Sequence, residues 1–344
     1  MELTLSDHQR EIRDTFARLF ESESTPDRVR SVEGPGIDET LWQTLVETGV
    51  PTFAVAEEFG GAGGDLLDLS LVVHEQGRRL GTVPLVETAV AARLLAALGE
   101  RDLVQSLAGG ERAAVALHPA VEGVASLVPN GGVVDRVIAL DGSDLVVVAR
   151  DNESKPERLS ALGHAAVEDW YVGTGRPVDR TVIAMNSEAS EQWHHAVDCW
   201  KVLQAALLVG VARAALDLAV EYAKERRAFD APIGSFQALA HRLADAAVRV
   251  DGAELLARKA AWIADHDPGR REVSAAMAFC EAAEAAQVAT RDGLHVFGGY
   301  GFTLEYDIQL YYQRAKAWAL VYGPPAGEFE RIGRLVADEG GATR

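Results

Sequence analysis

The chain has 344 residues, 48% of them hydrophobic and 25% charged, which is typical of a folded globular protein and excludes a disordered one. Its net charge of -19 disfavours nucleic acid as a partner, because phosphate backbones attract basic surfaces. Two cysteines, Cys199 and Cys280, are too few for a disulfide scaffold and favour a reducing, cytoplasmic setting. We expect no secretory signal at the start and no membrane span, since no apolar run reaches roughly 20 uncharged residues.

The first third of the chain has the pattern of amphipathic helices. Ser6 is a predicted N-cap for a helix whose apolar stripe consists of Ile12, Phe16, Leu19 and Phe20. Further helices are predicted at residues 39–47, 66–80 and 86–98, with a glycine-rich loop at 59–64. We assign residues 1–108 to an N-terminal helical domain.

The middle of the chain changes to short runs of β-branched residues separated by Gly, Pro, Asn and Asp. These runs predict strands at residues 113–117, 133–140, 145–148 and 181–184. We therefore predict a small, reduced β domain over residues 109–190.

The remainder, residues 191–344, is rich in alanine at helical spacing. It predicts helices at about 196–227, 235–266, 271–297 and 307–321, and a last one from about 327. Small side chains let helices approach closely, so these elements favour an antiparallel four-helix bundle. The predicted fold class is therefore mainly α, with one small β domain.

Residues 225–237 join two of these helices and place Arg226, Phe229 and Gln237 around one corner. We expect Arg226 to lie in the last turn of the first helix and Ser235 to cap the next. An Arg pair at a helix end is most often only a cap. A cation, a flat ring and an amide at one corner are also what an extended anion with a flat ring requires.

A second corner, residues 295–302, contains Gly298, Gly299 and Gly301. Paired glycines usually just end a helix, so this signal is weak alone. The nine histidines show no metal-ligand spacing, and the adjacent His194 and His195 suit a loop, so we predict no metal site.

Several motifs in order resemble those of the acyl-CoA dehydrogenase family. Residues 55–63, which follow Trp42 and Gly49, resemble its P-E-E-[YF]-G-G-x-G, and residues 74–78 resemble E-E-L-G-R. Its R-x-x-F-x-x-x-[IL]-x-x-x-Q is met by residues 226–237. Its Q-x-x-G-G-x-G-[YF] is met by residues 295–302, with His295 in place of Gln.

The resemblance implies a three-domain fold whose helical bundle mediates tetramerisation. It also implies removal of an α-proton by a Glu and transfer of the β-hydrogen to a flavin as hydride. The family places that Glu in one of two positions, which here hold Trp200 and Tyr322. Neither an indole nor a phenol with a pKa near 10 serves as a base at neutral pH.

The β domain also departs from the family. The T-E-P-x-x-G-S-D segment and the W-I-T-[NS] motif, which hold the flavin ring, have no counterpart; the nearest segment is residues 116–126. The resemblance is thus closest to the smaller, non-catalytic subunit of α2β2 acyl-CoA dehydrogenases. It implies an FAD shared with a homologous larger subunit and contacted here by Arg226, Phe229, Gln237, His295, Gly298 and Gly299.

Two alternatives remain open. One is a self-sufficient homotetramer whose base has moved to Asp198 or Glu328, although Glu328 also suits the first turn of a helix. The other is an assembly protein with the same fold and no flavin.

We assign Arg314, in a segment that resembles the family's R-x-x-D-A-[KR], to a solvated helix surface.

Overall fold

A computed structural model of the protein describes residues 4–150, 163, 166–176 and 179–341. The chain divides into two compact units, each built from separate segments. Unit 1 comprises Met1–Asp27, Ser70–Gly81 and Lys201–Arg344, and unit 2 comprises Arg28–Leu69 and Thr82–Trp200. The three domains at 1–108, 109–190 and 191–344 stay a prediction.

The described residues are mainly helical, which confirms the predicted fold class. The α-helices are α1 (Asp7–Glu23), α2 (Pro26–Ser31), α3 (Glu39–Glu47), α4 (Leu66–Arg78), α5 (Leu85–Ala97), α6 (Arg101–Ala108), α7 (Asn186–Glu225), α8 (Gln237–His266), α9 (Arg271–Phe297), α10 (Ile308–Trp318) and α11 (Pro325–Gly341). The strands are β1 (Ala113–Val115), β2 (Val124–Val128), β3 (Arg136–Asp141), β4 (Asp144–Ala149), β5 (Glu168–Tyr171), β6 (Arg180–Met185), β7 (Arg227–Ala228) and β8 (Ala231–Pro232).

Local capping sets the start of the early helices. The Ser6 side chain accepts from the backbone N–H of Gln9, whose own side chain bonds back to Ser6, so the predicted cap of α1 is confirmed. Asp38 accepts from two backbone amides at the start of α3, and that helix covers the predicted residues 39–47.

In unit 2, a four-stranded sheet has the order β1-β3-β4-β6, with only the β1–β3 pair parallel. The antiparallel pair β2–β5 forms a second small sheet. Buried apolar residues of both sheets make one core, in which the Trp170 indole donates to the Gly131 carbonyl at 3.1 Å. The sequence prediction found β4 and β6, began β3 three residues too early, and missed β2 and β5.

In unit 1, glycines allow two helices to cross at contact distance. A Cβ at Gly77 on α4 would lie 2.0 Å from the Leu207 carbonyl oxygen, and one at Gly210 on α7 would lie 2.1 Å from that of His74. Helix α7 is long and apolar enough to cross a membrane by composition, yet 83% of its most apolar stretch is buried in the protein.

The predictions for His194, His195 and Arg314 are wrong. Helix α7 begins at Asn186, ten residues before the predicted start, so His194 and His195 lie on a helix and not in a loop. Arg314 is only 1% exposed, because it packs on the inner face of α10, where its guanidinium donates to the Leu310 carbonyl. The prediction of a solvated surface arginine is therefore incorrect.

Candidate functional site

A tight hairpin follows α7 and presents an aromatic ring to solvent. Strands β7 and β8 pair through Ala228 and Ala231, which leaves Phe229 and Asp230 as a two-residue turn. Both have left-handed backbones, with φ of 52° and 62°, as a type I′ turn requires. Residues other than Gly, Asn and Asp rarely adopt this backbone conformation, so Phe229 is held at a conformational cost. Its side chain is 93% exposed.

The helix ends differ here from the prediction. Helix α7 ends at Glu225; Arg226 follows it and Arg227 already belongs to β7, because the hairpin takes over the backbone. Ser235 does not cap α8: its hydroxyl donates to the Pro232 carbonyl at 2.7 Å within a 3₁₀ turn. Helix α8 starts at Gln237 without a side-chain cap, and Gln237 is exposed.

The second corner lies beside the first. Helix α9 ends at Phe297, and Gly298 then adopts φ 61° and ψ -139°, a region that only glycine occupies readily. The turn that follows places the Tyr300 ring 5.5 Å from the Arg226 guanidinium. Tyr222, in the last turn of α7, stacks on Phe297 at 4.1 Å.

The structure therefore brings the predicted cofactor residues to one end of unit 1. Arg226 meets the second corner through Tyr300, and Phe229 contacts Phe236, next to Gln237, edge to face at 6.2 Å. His295, Gly298 and Gly299 are exposed at the end of α9. A cation, an exposed ring and two glycines with no atoms within 4 Å of a Cβ position suit a diphosphate joined to flat rings. Their roles toward a cofactor stay a prediction.

The first of the two positions at which the family resemblance predicts a base is filled by packing. Trp200 is 1% exposed, and its indole N–H donates to Glu87 Oε1 at 3.4 Å. Burial raises the pKa of Glu87, although hydrogen bonds from its own backbone amide, Asn130 and Trp200 act in the opposite direction. Asp198 is also buried.

The second position holds Tyr322, which packs on a buried charge pair. The Lys201 ammonium lies 4.0 Å from the centre of the Tyr322 ring and 2.7 Å from Glu328 Oε2. Glu328 lies in the first turn of α11, as predicted, and Arg331 also donates to it at 3.3 Å. Burial, followed by the charge of Glu328, raises the pKa of the nearby Cys280 thiol to about 11. Glu328 is thus neutralised by two cations.

The segment nearest to the family's flavin-ring motif, residues 116–126, forms a hydrogen bond with a side chain of the same chain. The Trp193 indole, on α7, donates to the Ala116 carbonyl at 2.8 Å. Trp193 is itself buried. The end of β1 therefore bonds to this chain's own side chain.

Comparison with known proteins gives the family. Residues 6–107 match the acyl-CoA dehydrogenase N-terminal domain, and residues 197–336 match the C-terminal domain. The chain is 33% identical over 340 residues to acyl-CoA dehydrogenase IpdE2 of Mycolicibacterium smegmatis, which covers 95% of this chain and 98% of that protein. The chain belongs to the acyl-CoA dehydrogenase family.

Two solved structures of similar proteins have the same fold as this chain. The ChsE4-ChsE5 complex from Mycobacterium tuberculosis has a chain 26% identical, with a TM-score of 0.87 over 98% of this chain and 99% of that one. A Tcur3481-Tcur3483 steroid ACAD variant has a chain 27% identical, with the same TM-score over 98% and 100%.

Sequence reasoning missed three residues that fill the interior of this chain: Glu87, Trp193 and the charge partner Lys201. Only Lys201 had a signal, because it directly follows Trp200. Among the described residues, no group of three or more His, Cys, Asp or Glu side chains could hold a metal ion.

Proposed function

We propose that this chain is the smaller subunit of a heteromeric acyl-CoA dehydrogenase and donates half of an FAD site to a homologous larger subunit. The observation that carries the proposal is the Phe229 hairpin. Two successive non-glycine residues hold a left-handed backbone and keep an aromatic ring in solvent. A backbone cost of this kind is expected where another molecule uses the side chain.

The chemistry of the corner supports the assignment of its residues. In the proposed complex, Arg226 pairs with the FAD diphosphate and Gln237 with the neighbouring ribose, because their donors suit phosphate and hydroxyl oxygens. Phe229 packs on the ring system, and His295, Gly298 and Gly299 border the adenosine end. FAD, when bound, supplies the hydride acceptor of the reaction.

The interior supports the second half of the proposal, that the partner supplies the base. Trp200 and Tyr322 occupy both base positions, and each is surrounded by its own partners, Glu87 for Trp200 and Lys201 for Tyr322. Glu328 is paired with Lys201, so it is a poor substitute for the missing Glu. The reaction we propose for the pair is α,β-dehydrogenation of an acyl-CoA thioester.

The substrate class we propose is a CoA thioester of a steroid-derived acyl group, and we place the complex, an α2β2 tetramer, in the cytoplasm. The similarity to a steroid acyl-CoA dehydrogenase at 27% identity supports this class. Co-expression of the chain with a homologous larger subunit tests it. We expect dye reduction with a steroid-CoA thioester only when both chains are present.

A self-sufficient dehydrogenase is the second candidate, and Glu87 is the observation that favours it. Glu87 is a buried carboxylate with a raised pKa, bonded to the indole that stands in a base position. Activity of the isolated chain, lost in Glu87→Gln, would favour this candidate. A stable pair of unlike chains without any flavin spectrum would instead favour an assembly protein.

A further inference from the structure

A polar cavity lies inside unit 1, away from the hairpin corner. Its volume is about 340 Å³, and side chains of α1, α4, α7 and α8 line it. Pockets that bind small molecules begin at about 300 Å³. Three alanines, Ala17, Ala206 and Ala257, provide the room.

The cavity is built around His74 on α4. Its Nδ1 lies 3.0 Å from Oε1 of Glu75, which is buried. This contact with the carboxylate orients the imidazole ring. His74 lines the cavity, while its Nε2 is buried out of reach of solvent.

Three arginines around the cavity have donors to spare. Within the described ranges, Arg78 donates only through Nη2, to Asp217 at 3.0 Å. Arg213 likewise donates through Nη2 to Asp251 and Glu254, and Arg258 through Nη2 to Glu254. Each guanidinium has five N–H donors, so Nη1 and Nε of each retain unused hydrogens.

The lining itself suits an anion. It carries four arginines against three carboxylates, while Asp217 and Asp251, the partners of Arg78 and Arg213, lie outside it. Burial raises the pKa of Glu254, but the charges of His74, Arg258 and Arg213 outweigh it and hold that pKa below its usual value. Glu254 therefore stays ionised and fixes the two arginines in place. The arginine fork matches carboxylate and phosphate oxygens.

The helix backbones that carry these groups are in close contact. The glycine crossing of α4 and α7 fixes His74 and Arg78 next to the turn of α7 that carries Arg213. A preformed site of this kind loses little side-chain entropy when it binds. We propose that this cavity binds a small organic anion through its phosphate or carboxylate groups, held by the three arginines.

Calorimetric titration of the full chain with inorganic pyrophosphate and, separately, with citrate tests the proposal and distinguishes phosphate from carboxylate. We expect one anion per chain for at least one probe. Arg78→Gln should weaken that binding about tenfold, because it removes a charged hydrogen bond. The Arg78–Asp217 pair is half-exposed, so the variant should fold.

Arg249→Gln is the matched control, since Arg249 is an exposed arginine of α8 paired with Glu284 outside the cavity. It should leave the affinity unchanged. A second readout uses the unaltered chain: the ¹⁵Nε resonance of Arg78, assigned by its loss in Arg78→Gln, should move on addition of the anion. Absence of binding by both probes, equal weakening in Arg249→Gln, or an unmoved Arg78 resonance would overturn the proposal.

Discussion

The hairpin corner and the two base positions of this chain are opposites. At the corner, Arg226, Phe229 and Gln237 are exposed and make few contacts with their own chain. At the base positions, Trp200 is buried against Glu87 and Tyr322 covers the buried Lys201. The exposed corner matches a motif of the family, whereas the two positions at which the resemblance predicts a base hold side chains that pack against their own chain. This contrast is what a subunit that serves another subunit's active site should show.

The largest effect should come from breaking the buried charge pair. Lys201→Met leaves Glu328 buried with only Arg331, and we expect a loss of about 3 kcal/mol in the free energy of unfolding. Denaturant unfolding measures it. Lys224→Met is the matched control, because the Lys224–Glu221 pair is exposed and contributes less than about 0.5 kcal/mol. Equal losses of unfolding free energy in both variants would show that the Lys201–Glu328 pair does not stabilise the packing at this position.

The second effect concerns the corner. Arg226→Ala should weaken FAD retention in the two-subunit complex by about tenfold, because a charged hydrogen bond to the diphosphate is lost. Dialysis followed by flavin absorbance measures retention. Arg227→Ala is the control, since Arg227 donates to the Asp230 carbonyl inside the hairpin. Unchanged FAD retention in Arg226→Ala would show that Arg226 only follows the end of α7 and does not bind FAD.

The third effect is a pH dependence from Glu87. Its pKa is raised above the ordinary 4.5, so the folded chain holds a proton that the unfolded chain releases. Stability therefore falls as the pH rises from about 4.5 through the raised pKa. Glu87→Gln should remove this pH dependence. The unfolding free energy of the variant, relative to that of the unaltered chain, should therefore increase as the pH rises. Parallel curves of unfolding free energy between pH 4 and 8 would contradict a buried, protonated Glu87.

The smallest effect separates the Phe229 ring from its backbone. Phe229→Gly should be about 0.5 kcal/mol more stable than Phe229→Ala, because glycine tolerates the positive φ that alanine does not. Both variants lose the ring, so both should retain FAD less well in the complex. Equal stabilities would mean that the turn carries no conformational cost.

The parts of the fold that local chemistry determines were predictable from the sequence. The caps at Ser6 and Asp38 fix α1 and α3 with neighbouring residues alone. Strands β2 and β5 were missed because each is short and partly exposed, so its apolar pattern is weak. Ser235 resembles a cap, yet the 3₁₀ turn that contains it uses its hydroxyl elsewhere.

The site divides in the same way. Arg226, Phe229 and Gln237 lie within one short segment, so a motif can locate them. The Trp200–Glu87 and Trp193–Ala116 contacts join residues 113 and 77 positions apart, and no local pattern announces such pairs. Sequence reasoning could therefore note that neither predicted base position holds a carboxylate, but not what packs around Trp200 and Tyr322.

The ratio of FAD to protein tests the central claim most directly. The chain should be purified alone and with a homologous larger subunit, and flavin absorbance compared with the amount of each chain. We predict one FAD for each pair of unlike chains and none on the isolated chain. One FAD bound to every copy of the isolated chain would contradict a donated half-site.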